Sequence, residues 1–203
     1  MSARFLDVKS ISSLKPEPPH LAFADARAWE TWLAAHQNDE LGIWMKIAKK
    51  DSGIATVDYQ QAFRVGLCYG WIDGQKRKCD EQYFLQRFTP RRARSLWSQR
   101  NVGIVAELIA AGKMQPRGQQ EVDAAQADGR WAVAYKASSK IGVPDDFQAA
   151  LDADPHAKAF YESLTKTRRY SFLFRITTAK RAETRQRWID RSIVMLGQGE
   201  TFN

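Results

Sequence analysis

Tyr69–Asn101 reads YGWIDGQKRKCDEQYFLQRFTPRRARSLWSQRN, and the fold turns on how it is read. A strand starting at Trp71 and a second from about Gln82 to Thr89 bracket Cys79-Asp80-Glu81, a short polar break of the kind that closes a hairpin. In the second strand a period of two sets Tyr83, Leu85 and Arg87 on one face and Phe84, Gln86 and Phe88 on the other. Cations crowd the stretch: Lys76, Arg77 and Lys78, then Arg87, Arg91, Arg92, Arg94 and Arg100, with aromatic residues threaded between them. Thr89-Pro90 ends the strand, and Ser95 and Ser98 are the hydroxyl residues able to cap a following helix. Arginine forks beside the free N–H groups of a helix start make an anion-binding constellation. Cations at a helix start oppose the macrodipole, so something anionic must offset them. It is a ligand, or it is the carboxylates of Asp73, Asp80 and Glu81.

N-terminal to this hairpin, Asp25 can cap a helix through about His36, whose Trp29, Trp32, Leu33 and His36 fall on one face. Leu41 to Ala48 alternates, with Ile43, Met45 and Ile47 on one side and Trp44 and Lys46 on the other, as in a half-buried strand. Asp58 with Gln61 forms a capping box for a helix through Cys68, with Ala62, Phe63, Gly66 and Leu67 inward. Residues 1–20 end in KPEPPH, whose prolines favour an extended arm over a helix.

C-terminal to it the chain is helical. One helix runs to Ala111 on a stripe of Trp97, Ile104, Val105, Leu108 and Ile109, and a second starts near Pro116 and stops by Gly129. KASSKIGVPDD, residues 136–146, is the candidate linker. Pro144 and Pro155 each open a helix where a missing N–H costs nothing, and Thr167 can cap a third that leads into Ala179–Leu196. Lys166, Arg168, Arg169, Arg175, Lys180, Arg181, Arg185, Arg187 and Arg191 give this part a basic surface able to track phosphates.

These elements predict an α+β fold: a small antiparallel sheet flanked by helices, followed by a helical C-terminal subdomain. The expected divisions are an arm over 1–20, an α+β core over 21–136 and the helical subdomain over 137–203. At 203 residues the chain can bury a proper core, and its net charge of +8 favours acidic partners without speaking to fold. Two cysteines, Cys68 and Cys79, form no secreted framework and read as reduced thiols. The N-terminus lacks the apolar segment of a signal peptide, and no apolar run reaches the ~20 residues of a membrane helix. A cytoplasmic location without a membrane span is the expectation.

The histidines His20, His36 and His156 stand far apart, and no metal-ligand, P-loop, dinucleotide or nucleophile-elbow motif is present. No catalytic residue, metal ligand or cofactor is therefore expected. The candidate ligand-binding residues are Trp71, Asp73, Arg87, Arg91, Arg92, Ser95 and Trp97. The arginines and Ser95 would hold an anionic group, the tryptophans would wall it, and Asp73 would orient the arginines. Nucleic acid is the most economical anion, bound by a non-enzymatic protein. The alternative is an enzyme on a small phosphorylated or acidic metabolite, with Asp73 as general base.

The segment AFYESLTKTRRYSFLFRITTAKRAETRQRWIDRSIVMLGQGE, residues 159–200, is similar to the C-terminal part of the bacterial YdeI/OmpD-associated, bacteriocin-protection family. GLCYGWIDGQ (66–75), RFTPRRARSLWS (87–98), LIAAGKMQPRG (108–118) and DGRW (128–131) also resemble these proteins. The resemblance implies a role in survival against bacteriocins or cationic antimicrobial peptides, and a protein partner in an outer-membrane porin. It brings no catalytic residues.

Overall fold

Asp25 takes extended backbone and accepts the Ala28 N–H at 2.8 Å, and from it α1 runs over Ala26–His36. Asp58 and Gln61 close the reciprocal capping box that starts α2, Tyr59–Cys68. Both starts follow the sequence signals. The computed structural model describes residues 16–136 and 141–202. Most of the expected arm, residues 1–15, and the centre of the expected linker, residues 137–140, lie outside them. The chain divides into two compact units: Met1–Ala93 with Ala111–Glu121, and Arg94–Ala110 with Val122–Asn203.

The first unit is built on a four-stranded sheet in the order β1-β2-β4-β3. The strands are β1 (His20–Leu21), β2 (Ile43–Ala48), β3 (Trp71–Lys78) and β4 (Tyr83–Pro90). The β2–β4 and β3–β4 pairs are antiparallel as expected, but β1 joins β2 in parallel, so the sheet is mixed. Pro19 leads into this edge and needs no N–H there, while its carbonyl accepts the Trp44 N–H at 2.9 Å. Helices α1 and α2 cover the face of Met45, Phe88 and Trp71. There Trp29 packs against Trp71 and Phe88, and its indole N–H donates to the Ala62 carbonyl at 3.0 Å. Gly42 is required where it stands: its φ is +64°, and a Cβ would lie 2.3 Å from the Phe88 carbonyl oxygen.

The second unit holds α3 (Gln99–Ala110), α5 (Asp145–Ala153), α6 (Pro155–Ser163), α7 (Lys166–Thr178) and α8 (Ala182–Gly197). Helix α4, Pro116–Ala127, contributes its first half to the first unit and its second half to this one. Asp154 caps α6 with Pro155 in its first turn. Thr165, rather than the expected Thr167, caps α7 by accepting the Arg168 N–H. One apolar cluster joins α5 to α8 through Phe147, Leu151, Tyr161, Phe172, Ile176, Ile189 and Leu196. No helix among the described residues is long and apolar enough to cross a membrane.

Candidate functional site

The registers Trp44↔Arg87 and Arg77↔Leu85 bring the side chains of three strands onto the face of the sheet opposite Phe88. Which cation joins them is decided by a bulge. Between Asp73 and Lys76 the β3–β4 register slips by one residue, and a one-residue slip flips every later side chain to the other face. Arg77 is thereby turned toward Trp44, while Lys76 and Lys78 go to the side of Phe84. Gln86, buried beneath the bulge, donates to the carbonyls of Gly74 (2.9 Å) and Gln75 (3.3 Å), so the irregular backbone is satisfied.

On this face the Arg77 guanidinium lies 4.3 Å from the centre of the Trp44 ring and that of Arg87 5.6 Å from it. Trp44 is consequently only 3% exposed although it points away from the helices. Lys46 sits 4.6 Å from the Tyr83 ring. Arg87 is fixed by donating to the carbonyls of Ile43 (2.7 Å), Phe88 (3.1 Å) and Leu41. Burial holds its guanidinium pKa below the usual arginine range, and the charges of Arg77 and Arg92 push the same way. Among the described residues no carboxylate pairs with Arg77 or Arg87. An anion placed here would relieve a repulsion that the protein leaves in place.

The residues singled out from sequence are not all brought together. Trp71 is fully buried among Trp29 and Trp32, and its indole N–H donates to the Gln37 carbonyl at 2.9 Å, so its ring belongs to the core. Asp73 pairs with Phe88 in register and so faces away from Arg87, where it accepts the Tyr59 hydroxyl at 2.7 Å. It orients a tyrosine, not the arginines. Arg91 is 4% exposed, with its backbone N–H on the Gly70 carbonyl, whereas Arg92 is exposed. Ser95 and Trp97 belong to the second unit. Trp97 packs on Trp131 at 4.9 Å, and the α3 cap is Ser98, whose hydroxyl accepts the Asn101 N–H at 3.1 Å. Sequence reasoning missed Trp44, Lys46, Arg77 and Tyr83 as one surface. The available signal was a tryptophan alternating outward with a lysine on β2, a position that needs a cover.

Three of the nine cations expected to make a basic surface on the C-terminal helices, Arg169, Arg175 and Arg185, are occupied by the protein itself. Arg185 forks onto both Asp146 oxygens at 2.7 Å and reaches the Ile176 carbonyl at 2.9 Å. Arg169 donates to the Leu164 carbonyl at 3.0 Å and to that of Glu162. Arg175 holds the Ser171 carbonyl at 2.7 Å and lies 4.1 Å from the Phe202 ring. Burial pushes the Cys68 thiol up to about 11, with the Glu30 carboxylate adding to it, so this cysteine is an inert core residue. Among the described residues no group of three or more histidine, cysteine or acidic side chains could hold a metal ion.

Residues 140–199 match the family model described as bacteriocin-protection, YdeI or OmpD-associated. The match is confined to the C-terminal part of the chain, which is similar to that family. The YdeI/OmpD-associated segment thus comprises α5 to α8, the helices joined by the Phe147–Leu196 cluster. Residues 21–121, which hold the sheet, match a different model, a domain of unknown function (DUF8412). The motifs at 66–75 and 87–98 that resembled the YdeI/OmpD-associated family fall within this second match. No curated protein and no solved structure matches the chain.

Proposed function

We propose that this YdeI/OmpD-associated protein is a non-enzymatic binding protein whose first unit recognises single-stranded nucleic acid on the helix-free face of its sheet. The observation that carries the reading is that the charges of Arg77 and Arg92 act on Arg87 while, among the described residues, no carboxylate pairs with Arg77 or Arg87. Arg77 and Arg92 both carry exposed side chains; Arg87, pinned by three carbonyls, sets the position of the charge. Bases stack on guanidinium planes as well as on aromatic rings, and the Arg77–Trp44 stack and the half-buried Tyr83 offer both. A cytoplasmic location belongs to the same proposal, as does the view that nucleic-acid binding underlies the bacteriocin-protection role in the family's description.

The test is fluorescence anisotropy with labelled single-stranded DNA, duplex DNA and RNA over a salt series, with wild type beside Arg77→Glu/Arg92→Glu. Both substitutions lie on exposed side chains, so the double variant should fold, with a stability loss of no more than about 1 kcal/mol from the Arg77–Trp44 contact. Single strands should bind with an affinity that falls steeply with salt, and the double variant should lose at least about tenfold. A flat titration at low salt, or binding untouched by the double variant, would overturn the reading.

A further inference from the structure

The second unit contains a cavity of about 690 Å³, a volume typical of small-molecule sites. Its walls are apolar and held in place by their own backbone. Trp97 packs at a tilt of 58° against Trp131, and Tyr135 meets Phe174 edge-on at 5.0 Å. The Tyr135 N–H donates to the Trp97 carbonyl and the Gln99 N–H to the Tyr135 carbonyl, both at 2.9 Å. Two exposed apolar side chains, Leu96 and Val133, stand at its edge; the latter is 68% exposed. Lone exposed apolar residues are ordinary, but a pair beside an apolar cavity suits the entry of an apolar body.

The charged groups in the lining are three cations, Arg130, Lys136 and Lys180, and one carboxylate, Asp128. Arg130, only 5% exposed, spends its Nε on the Asp128 carboxylate (2.6 and 2.8 Å) and its Nη1 on the Ser95 carbonyl (2.8 Å). Its Nη2 makes no hydrogen bond among the described residues, so a buried guanidinium retains an unspent donor. Lys136 and Lys180, also in the lining, form no ion pair among the described residues. Asp128 is already neutralised by Arg130, and its carboxyl is held below the usual range, first by that side-chain hydrogen bond. Thr177 and Thr178 donate their hydroxyl protons to the carbonyls of Leu173 (2.7 Å) and Phe174 (2.6 Å), leaving them only acceptors to offer. An anion in the cavity therefore goes to Arg130 and the lysines.

We propose that this cavity binds a small aromatic carboxylate, with its ring against Trp97 and Tyr135 and its carboxylate met by Arg130 Nη2 and the ammonium groups of Lys136 and Lys180. A carboxylate fits better than a phosphate. Phosphate sites use free N–H groups at a helix start, and here the Gln99 and Asn101 N–H groups of α3 are already taken by the Tyr135 carbonyl and the Ser98 hydroxyl. The site is separate from the sheet surface and uses none of its residues.

Isothermal titration of the full chain with 2-naphthoate and with its neutral analogue 2-naphthamide tests this. Naphthoate should bind one to one, with naphthamide at least about tenfold weaker. Lys136→Glu/Lys180→Glu should weaken naphthoate by at least about tenfold while leaving naphthamide unchanged. Both lysines are exposed, so the variant should fold; Arg77→Glu/Arg92→Glu should leave naphthoate binding intact. Equal affinity for the charged and neutral probes, no binding of either at millimolar concentration, or an unaffected double lysine variant would each overturn the assignment.

Discussion

The strand pair β3–β4 with its flanks and the helix pair α7–α8 carry comparable runs of arginine, yet the two regions employ them differently. In the helices, Arg169, Arg175 and Arg185 are turned inward onto carbonyls and onto Asp146. On the sheet, Arg77 and Arg87 lie over Trp44 with no carboxylate partner among the described residues. The cause is the supply of acceptors. Every helix ends in carbonyls that lack an intrahelical partner, and α5 to α8 are short, so helix ends lie within reach of many side chains. Arg169 serves the end of α6 and Arg185 the last turn of α7. Within a sheet the ladder consumes most carbonyls, and Arg87 finds its acceptors at the strand ends near Leu41 and Ile43. Free charge, and with it the case for a binding surface, is therefore set by architecture more than by the arginine count.

The comparison breaks first at Trp44. If the sheet face is a cation platform built on that ring, Trp44→Ala should cost about 3–5 kcal/mol, the usual range for a buried tryptophan, and should loosen Arg77. Chemical denaturation measures the first, and salt-dependent anisotropy the second. A loss under about 1 kcal/mol would mean that the arginines do not rest on it.

Arg185→Ala sharpens the other side, with an expected loss of about 1 kcal/mol, since the ion pair is partly exposed but a helix-end carbonyl is left without its donor. The Asp146 carboxyl is held below the usual range chiefly by its hydrogen bonds from Arg185. A carboxyl depressed in the folded state stabilises above its unfolded pKa, and the contribution fades as pH falls from about 4 toward the lower folded value. Wild type should therefore lose stability in that window faster than Arg185→Ala. Parallel acid limbs for the two proteins would remove the pair from the account of this unit.

Where the causes were local, the sequence was readable. Asp25, the Asp58–Gln61 box and Pro155 each act within one helical turn, and each stands where its pattern placed it. The alternation of β4 was equally plain because both its faces carry large side chains. The two-residue β1 has no period to show, so its parallel pairing was invisible. Thr165 and Thr167 both precede helix-compatible residues, and propensity does not choose between them. The bulge at Gly74 mattered most: GQKRK contains no apolar residue to report parity, so which cation would meet Trp44 could not be read. Trp71 was hidden for a related reason, since its burial depends on α1, more than thirty residues away. The surface was thus legible as a composition of cations and aromatics but not as an arrangement.

The smallest expected effect is the one that most directly separates the two regions. Arg77→Ala removes an exposed guanidinium that, among the described residues, holds no carbonyl and no carboxylate and covers the outward face of the Trp44 ring. The stability change should stay within about 1 kcal/mol, the worth of an exposed cation–π contact. Relief of repulsion on Arg87 acts in the opposite direction and reduces the loss further. Arg185→Ala, equal in charge change, should lose more stability and no nucleic-acid affinity. Arg77→Ala should instead flatten the dependence of log affinity on log salt by about 0.7, one phosphate contact on a single strand. Were the two variants to exchange these outcomes, the sheet arginine would be structural, the helix arginine would carry the binding, and the search for the interface would move to α7 and α8.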